Sequence, residues 1–129
     1  MRNFPFELTD DESLIIIQAK VGKYDLRLAL DTGASHTIID LNTLITLGYY
    51  PENSVGNTLF ETGKGNVEAH IFTLPQLSTL GILRHNFNVS SYDFLGNGVM
   101  TDIEGVLGLD FFQDTKICLD FRKLMITIS

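Results

Sequence analysis

Leu28-Ala29-Leu30-Asp31-Thr32-Gly33-Ala34-Ser35 carries an apolar strand directly into a carboxylate and a turn. From Tyr24 onward, Tyr24, Leu26, Leu28 and Leu30 alternate with Asp25, Arg27, Ala29 and Asp31, the period of two expected of a strand with unlike faces. Asp31 therefore leaves the strand on the face away from the leucines. Thr32-Gly33 breaks the strand, since glycine accepts a sharp turn without steric cost, and His36-Thr37-Ile38-Ile39 resumes it.

Working outward, Leu14 to Lys20 is a nearly uninterrupted, β-branched apolar run, read as a strand covered on both faces. Gly22-Lys23 supplies the hairpin turn between the two strands. After Ile39, Asp40 is a good helix N-cap, Leu41, Leu44 and Ile45 fall at helical spacing, and Gly48 closes the segment. Val55 to Phe60 and Val67 to Phe72 form the arms of a hairpin around Glu61-Thr62-Gly63-Lys64-Gly65-Asn66. Further strands are expected at Gly81 to Leu83, Phe87 to Ser91, Lys116 to Asp120 and Leu124 to Ile128, with one short helix over Gly108 to Phe112. The chain is mainly β.

With 129 residues, 44% of them hydrophobic and 19% charged, the sequence can bury a core without staples and is read as one domain spanning 1–129. Its net charge of −7 argues against a nucleic-acid or anionic-membrane surface, which needs clustered Lys and Arg. The lone cysteine, Cys118, excludes an intrachain disulfide and a cysteine-based zinc site, and suits a reducing compartment. Set between Ile117 and Leu119, it is expected to be a buried apolar residue. His36, His70 and His85 have no metal-ligand spacing, so no metal or other cofactor is expected. No export-length apolar start and no membrane-length run is visible, which favours a cytoplasmic protein.

The Asp31-Thr32-Gly33 loop at a strand end, the hairpin after it, and Val106-Leu107-Gly108 leading into a helix-like stretch together resemble the retropepsin-like aspartic proteases. The resemblance runs in order from about Leu14 to Ile128. It implies a closed, barrel-like acid-protease lobe with a flap hairpin, one or two short helices, and an apolar-apolar-Gly segment crossing behind the Asp31 loop. It also implies hydrolysis of peptide bonds in extended polypeptides. Such hydrolysis needs one carboxylate to take a proton from water and one carboxylic acid to polarise the scissile carbonyl. Two close carboxyls sharing a proton do both, the established behaviour of aspartic protease dyads. The chain has only one Asp-Thr-Gly, so a homodimer with one Asp31 from each protomer is expected.

The resemblance assigns roles to the neighbours. Thr32 bonds across the dimer axis, and Gly33 removes a Cβ where loops and substrate meet. Ala34 and Ser35 line the substrate channel, Val106 supplies an apolar floor, and Gly63, Lys64 and Gly65 form the flap tip that closes over the peptide. The Ala34 methyl offers the carboxylate no hydroxyl, so activity is expected from weakly acidic toward neutral pH. Where retroviral enzymes pair an Arg with an Asp, this chain has Leu109 and Ser35, so that salt bridge is absent and its dimer support must differ. Asp110 is expected to cap the following helix. Two other readings compete: a catalytically silent dimerisation or peptide-binding module on the same fold, and a small β-barrel protein unrelated to proteases.

Overall fold

The computed structural model describes residues 1–62 and 65–129. The chain begins extended: β1 (Arg2–Pro5) and β2 (Glu7–Leu8) lead to the hairpin of β3 (Ile15–Val21) and β4 (Tyr24–Leu30). Val21 faces Tyr24 across a two-residue turn in which Gly22 takes φ +59°, the left-handed region that favours glycine. After the Asp31 loop come β5 (Ile38–Asp40) and α1 (Leu41–Thr46). Asp40 caps α1, its carboxylate accepting from the Thr43 amide at 3.2 Å, and Gly48 closes the turn with φ +97°.

β6 (Gly56–Thr62) and β7 (Gly65–Thr79) form the expected hairpin, with Thr62 opposite Gly65. Gly63 and Lys64 lie outside the described residues. β8 (Ile82–Tyr92) returns along β7. β9 (Gly105–Leu107), a 3-10 turn over Leu109–Phe112, β10 (Ile117–Asp120) and β11 (Met125–Ile128) complete the chain.

The larger sheet runs β2-β3-β4-β9-β5-β8-β7-β6, and β3 also pairs with β7, closing β3-β4-β9-β5-β8-β7 into a ring. Leu26, Leu28, Leu74, Leu77, Leu107 and Phe111 fill it, each at most 2% exposed. Ile17 belongs to this core, whereas its neighbour Ile16 packs with Ala29 and Ile103 on the other side, so the start of β3 is covered on both faces as its sequence required. No described helix is long and apolar enough to cross a membrane.

Two details differ from the sequence reading, and the pairing of the N-terminal strand adds to it. The strands expected at 81–83 and 87–91 are one strand, β8, because β7 provides a continuous partner on both sides of Pro75. The ladder skips only Pro75 and Asn86, where proline has no N–H to offer and Asn86 takes φ +50°. The N-terminal strand pairs within the chain, β1 with β11, Arg2 opposite Ile128, in a separate β1-β11-β10 sheet. Finally, Cys118 is exposed rather than buried, because β10 is an edge of that smaller sheet.

Candidate active site

β4 ends against β9 in parallel register, Leu30 opposite Leu107, and the Asp31 amide continues the ladder by donating to the Leu107 carbonyl at 3.0 Å. The Asp31 carboxyl thus stands at the end of a strand anchored in the core, with its side chain open to solvent. Its Oδ1 accepts the Gly33 amide at 2.8 Å, and the Asp31 carbonyl accepts the Ala34 amide at 3.1 Å, closing a tight loop around the carboxylate. A Cβ on Gly33 would come within 3.1 Å of that same oxygen.

The loop is held from behind. β9 lies between β4 and β5, and the chain beyond it turns under the loop: the Leu109 amide donates to the Ala34 carbonyl at 2.8 Å, and the Gly108 amide donates to Thr37 Oγ1 at 3.1 Å. Gly108 must be glycine, since a Cβ there would sit 2.7 Å from the His36 carbonyl carbon and 2.8 Å from the Ala34 oxygen. Thr37 is fully buried, and its amide and hydroxyl both donate to the Asp110 carboxylate, at 3.0 and 2.8 Å. Asp110 is therefore not a helix cap; Gly108 holds the cap position of the following 3-10 turn with no side-chain bond. From β8, Arg84 donates to the carbonyls of Phe111 and Gln113 and lies 5.6 Å over the Phe111 ring. Within the chain, Thr37, Asp110 and Arg84 fasten the loop to the turn behind it.

Gly33, Ala34 and Ser35 line a cleft of about 480 Å³ together with His36, Ile38 and the Thr58–Glu61 stretch of β6. The hairpin arm thus covers one side of the Asp31 loop. Val106, half-buried on β9, lines an adjoining apolar pocket of about 290 Å³ with Ile38, Phe60, Tyr92 and Phe94. Thr32 is exposed, and its hydroxyl makes no hydrogen bond among the described residues. Gly65 lies at the far end of the hairpin ladder with φ +103°. A cleft of about 500 Å³ at the opposite end of β4, around Gly22, Lys23, Tyr24, Tyr49 and His85, has no carboxylate in its lining, so acid chemistry does not belong there.

An aspartyl protease family model matches residues 17–111, from β3 to the turn that follows β9. The chain belongs to the aspartyl protease family. The match takes in the Asp31 loop, both hairpin arms and Val106-Leu107-Gly108, and leaves β1, β2, β10 and β11 outside it. A crystal structure of a retropepsin-like aspartic protease from Rickettsia conorii aligns over 100% of this chain and 99% of that one, with a TM-score of 0.74 and 18% identity. At that identity the likeness is one of fold, and the fold is the retropepsin-like one. No curated protein sequence matches the chain. An unrelated β-barrel is thereby ruled out.

Proposed function

We propose that the chain is an aspartic endopeptidase, built as a single domain and acting as a homodimer in which two Asp31 carboxyls share one proton. The observation that carries this reading is the Asp31 loop itself: a solvent-open carboxylate that accepts the Gly33 amide, on a residue whose own amide is anchored to the Leu107 carbonyl, in a chain with a single Asp-Thr-Gly. One such carboxyl cannot serve as both base and acid in the same step, so the site is complete only with a second copy.

In the reaction, the ionised Asp31 takes a proton from water as the water oxygen bonds to the scissile carbonyl carbon. The protonated Asp31 of the other copy donates to the carbonyl oxygen, which becomes a hydroxyl. Collapse of this tetrahedral diol breaks the C–N bond, with the proton delivered to the leaving amine, and the dyad again holds one proton. Thr32, whose hydroxyl makes no hydrogen bond among the described residues, reaches across the two-fold axis to hold the loops together. Ala34, Ser35 and Val106 contact the peptide, β6 pairs with it as an added strand, and the tip at Gly63, Lys64 and Gly65 excludes water. The dimer carries 2 × (−7) = −14, so its interface must be largely apolar; exposed Leu109, Leu119 and Phe121 are suited to that.

The test is cleavage of a peptide library by the unaltered chain beside Asp31→Asn, with molar mass measured for both. Cleavage by the first, none by the second, and dimers in both cases are expected. Equal inactivity of two well-formed dimers would leave the silent peptide-binding module as the better account.

A further inference from the structure

The cleft beside the Asp31 loop is divided into compartments of unlike chemistry. Ile38, Phe60 and Glu61 line both, forming a common wall. On one side is the apolar pocket with Val106, Tyr92 and Phe94. On the other, Ser35, His36 and Thr58 face the larger space, which continues past His36 and Thr58 into a hollow of about 250 Å³ lined by Asn88, Ser90 and Asp110.

The ionisable lining of this polar side, among the described residues, is His36, Glu61 and Asp110. The Glu61 side chain makes no hydrogen bond or ion pair among the described residues. Asp110 gives each oxygen one bond from Thr37, and a carboxylate oxygen accepts two, so acceptor capacity remains. Two carboxylates therefore meet one imidazole, and because the carboxylates outnumber it the compartment is net negative. The chain's own charge of −7 acts in the same direction on an approaching substrate.

We propose that the polar compartment is a specificity subsite for a lysine or arginine side chain of the polypeptide, near an apolar side chain seated against Val106. The proposal rests on the protease reading above and adds the substrate class. A cationic side chain meets Glu61 at the wall and finds further acceptors in the hollow beyond Thr58. An acidic side chain at the same position meets like charge from Glu61 and Asp110 and is excluded.

The test uses peptides that differ in one residue, Lys, Leu or Glu, moved stepwise along an otherwise apolar extended sequence. Binding is measured by fluorescence anisotropy on the non-cleaving Asp31→Asn chain, and cleavage is measured on the unaltered chain. At one position lysine is expected to bind about tenfold more tightly than glutamate, the scale of one charge-assisted hydrogen bond. Adding Glu61→Gln or high salt should shrink that margin to about threefold or less, and Thr58→Lys, which places a cation in the compartment, should invert it. Equal affinity for all three residues at every position, no binding of any peptide, or a lysine preference unmoved by Glu61→Gln would overturn the proposal. Lysine-selective binding without any cleavage would sink the protease reading and leave the subsite standing; cleavage without charge preference would do the reverse.

Discussion

Thr37 and Asp110 are joined twice across the underside of the Asp31 loop, amide to Oδ2 at 3.0 Å and hydroxyl to Oδ1 at 2.8 Å, while the same hydroxyl accepts the Gly108 amide at 3.1 Å. One side chain thus connects the strand leaving the loop, the glycine beneath it and the turn that follows. Because Thr37 is fully buried, water cannot replace these bonds when they are lost.

Thr37→Val keeps the shape and removes the hydroxyl, leaving the Gly108 amide without its acceptor. A loss of about 2–4 kcal/mol is expected in urea denaturation, the sum of two buried bonds and an orphaned donor, with Thr37→Ser recovering most of it. Unchanged stability in Thr37→Val would show that the hydroxyl fastens nothing.

Gly108→Ala places a methyl against the backbone of Ala34 and His36, which cannot yield without moving the Asp31 loop. About 1–3 kcal/mol of destabilisation is expected, together with loss of peptide cleavage. Gly56→Ala is the control: its Cβ would meet only the Ile71 side chain, at 3.9 Å, and should be tolerated.

Arg84→Lys is not a conservative change. The guanidinium spans the Phe111 and Gln113 carbonyls through Nε and Nη2, a fork that a single ammonium does not reproduce. Thermal denaturation should show a cost of about 1–2 kcal/mol. A lysine variant as stable as the parent would mean that packing on Phe111 alone suffices.

Asp11 organises the turn between β2 and β3, accepting from Ser13 Oγ at 2.6 Å, Thr9 Oγ1 at 2.7 Å and the Ser13 amide at 3.0 Å. The Ser13 hydroxyl, then the Thr9 hydroxyl, then the Ser13 amide hold its pKa down from 3.8 to about 2. A carboxyl lowered on folding contributes its stabilisation above the unfolded value, and that contribution is lost as pH falls through the folded one. An NMR titration should therefore place the Asp11 midpoint near 2, with the Thr9–Leu14 turn loosening only below pH 3.8. A midpoint at the ordinary value would show that the three bonds do not persist in solution.

Ala34→Ser tests the pH expectation. A hydroxyl added next to the Asp31 loop donates to the ionised carboxylate and favours it over the neutral acid. The acidic limb of the kcat/KM profile should move to lower pH. A limb that stays in place would mean that the new hydroxyl points elsewhere.

The central hairpin, the loop at Asp31, the Asp40 cap and the paired arms at β6 and β7 were legible from residues close together in the chain. Val106-Leu107-Gly108 was marked through the family resemblance as a segment passing behind the loop, but that its glycine is required by the Ala34 and His36 backbone came only from the structure. Thr37 and Asp110 left a faint trace, a hydroxyl just after the Asp31 loop and a carboxylate in the turn that follows Gly108. Arg84 left none, since its partners are backbone carbonyls that any sequence would supply.

What the sequence by itself determined is local: period-two alternation sets the faces of β4, glycine sets where the chain can reverse, and Asp40 sets where α1 begins. These depend on neighbours within a few residues, so the information is contiguous. Only the tertiary structure decided that Asp110 would serve Thr37, 73 residues away, rather than its own turn. Only it decided that β8 would run unbroken past Asn86, that β10 would be an edge and so expose Cys118, and that one wall of Ile38, Phe60 and Glu61 would separate an apolar pocket from a polar one. Hydrogen-bond partners and burial are set by which strands come to lie side by side, and the closure of β3 onto β7 settles that for the whole ring at once.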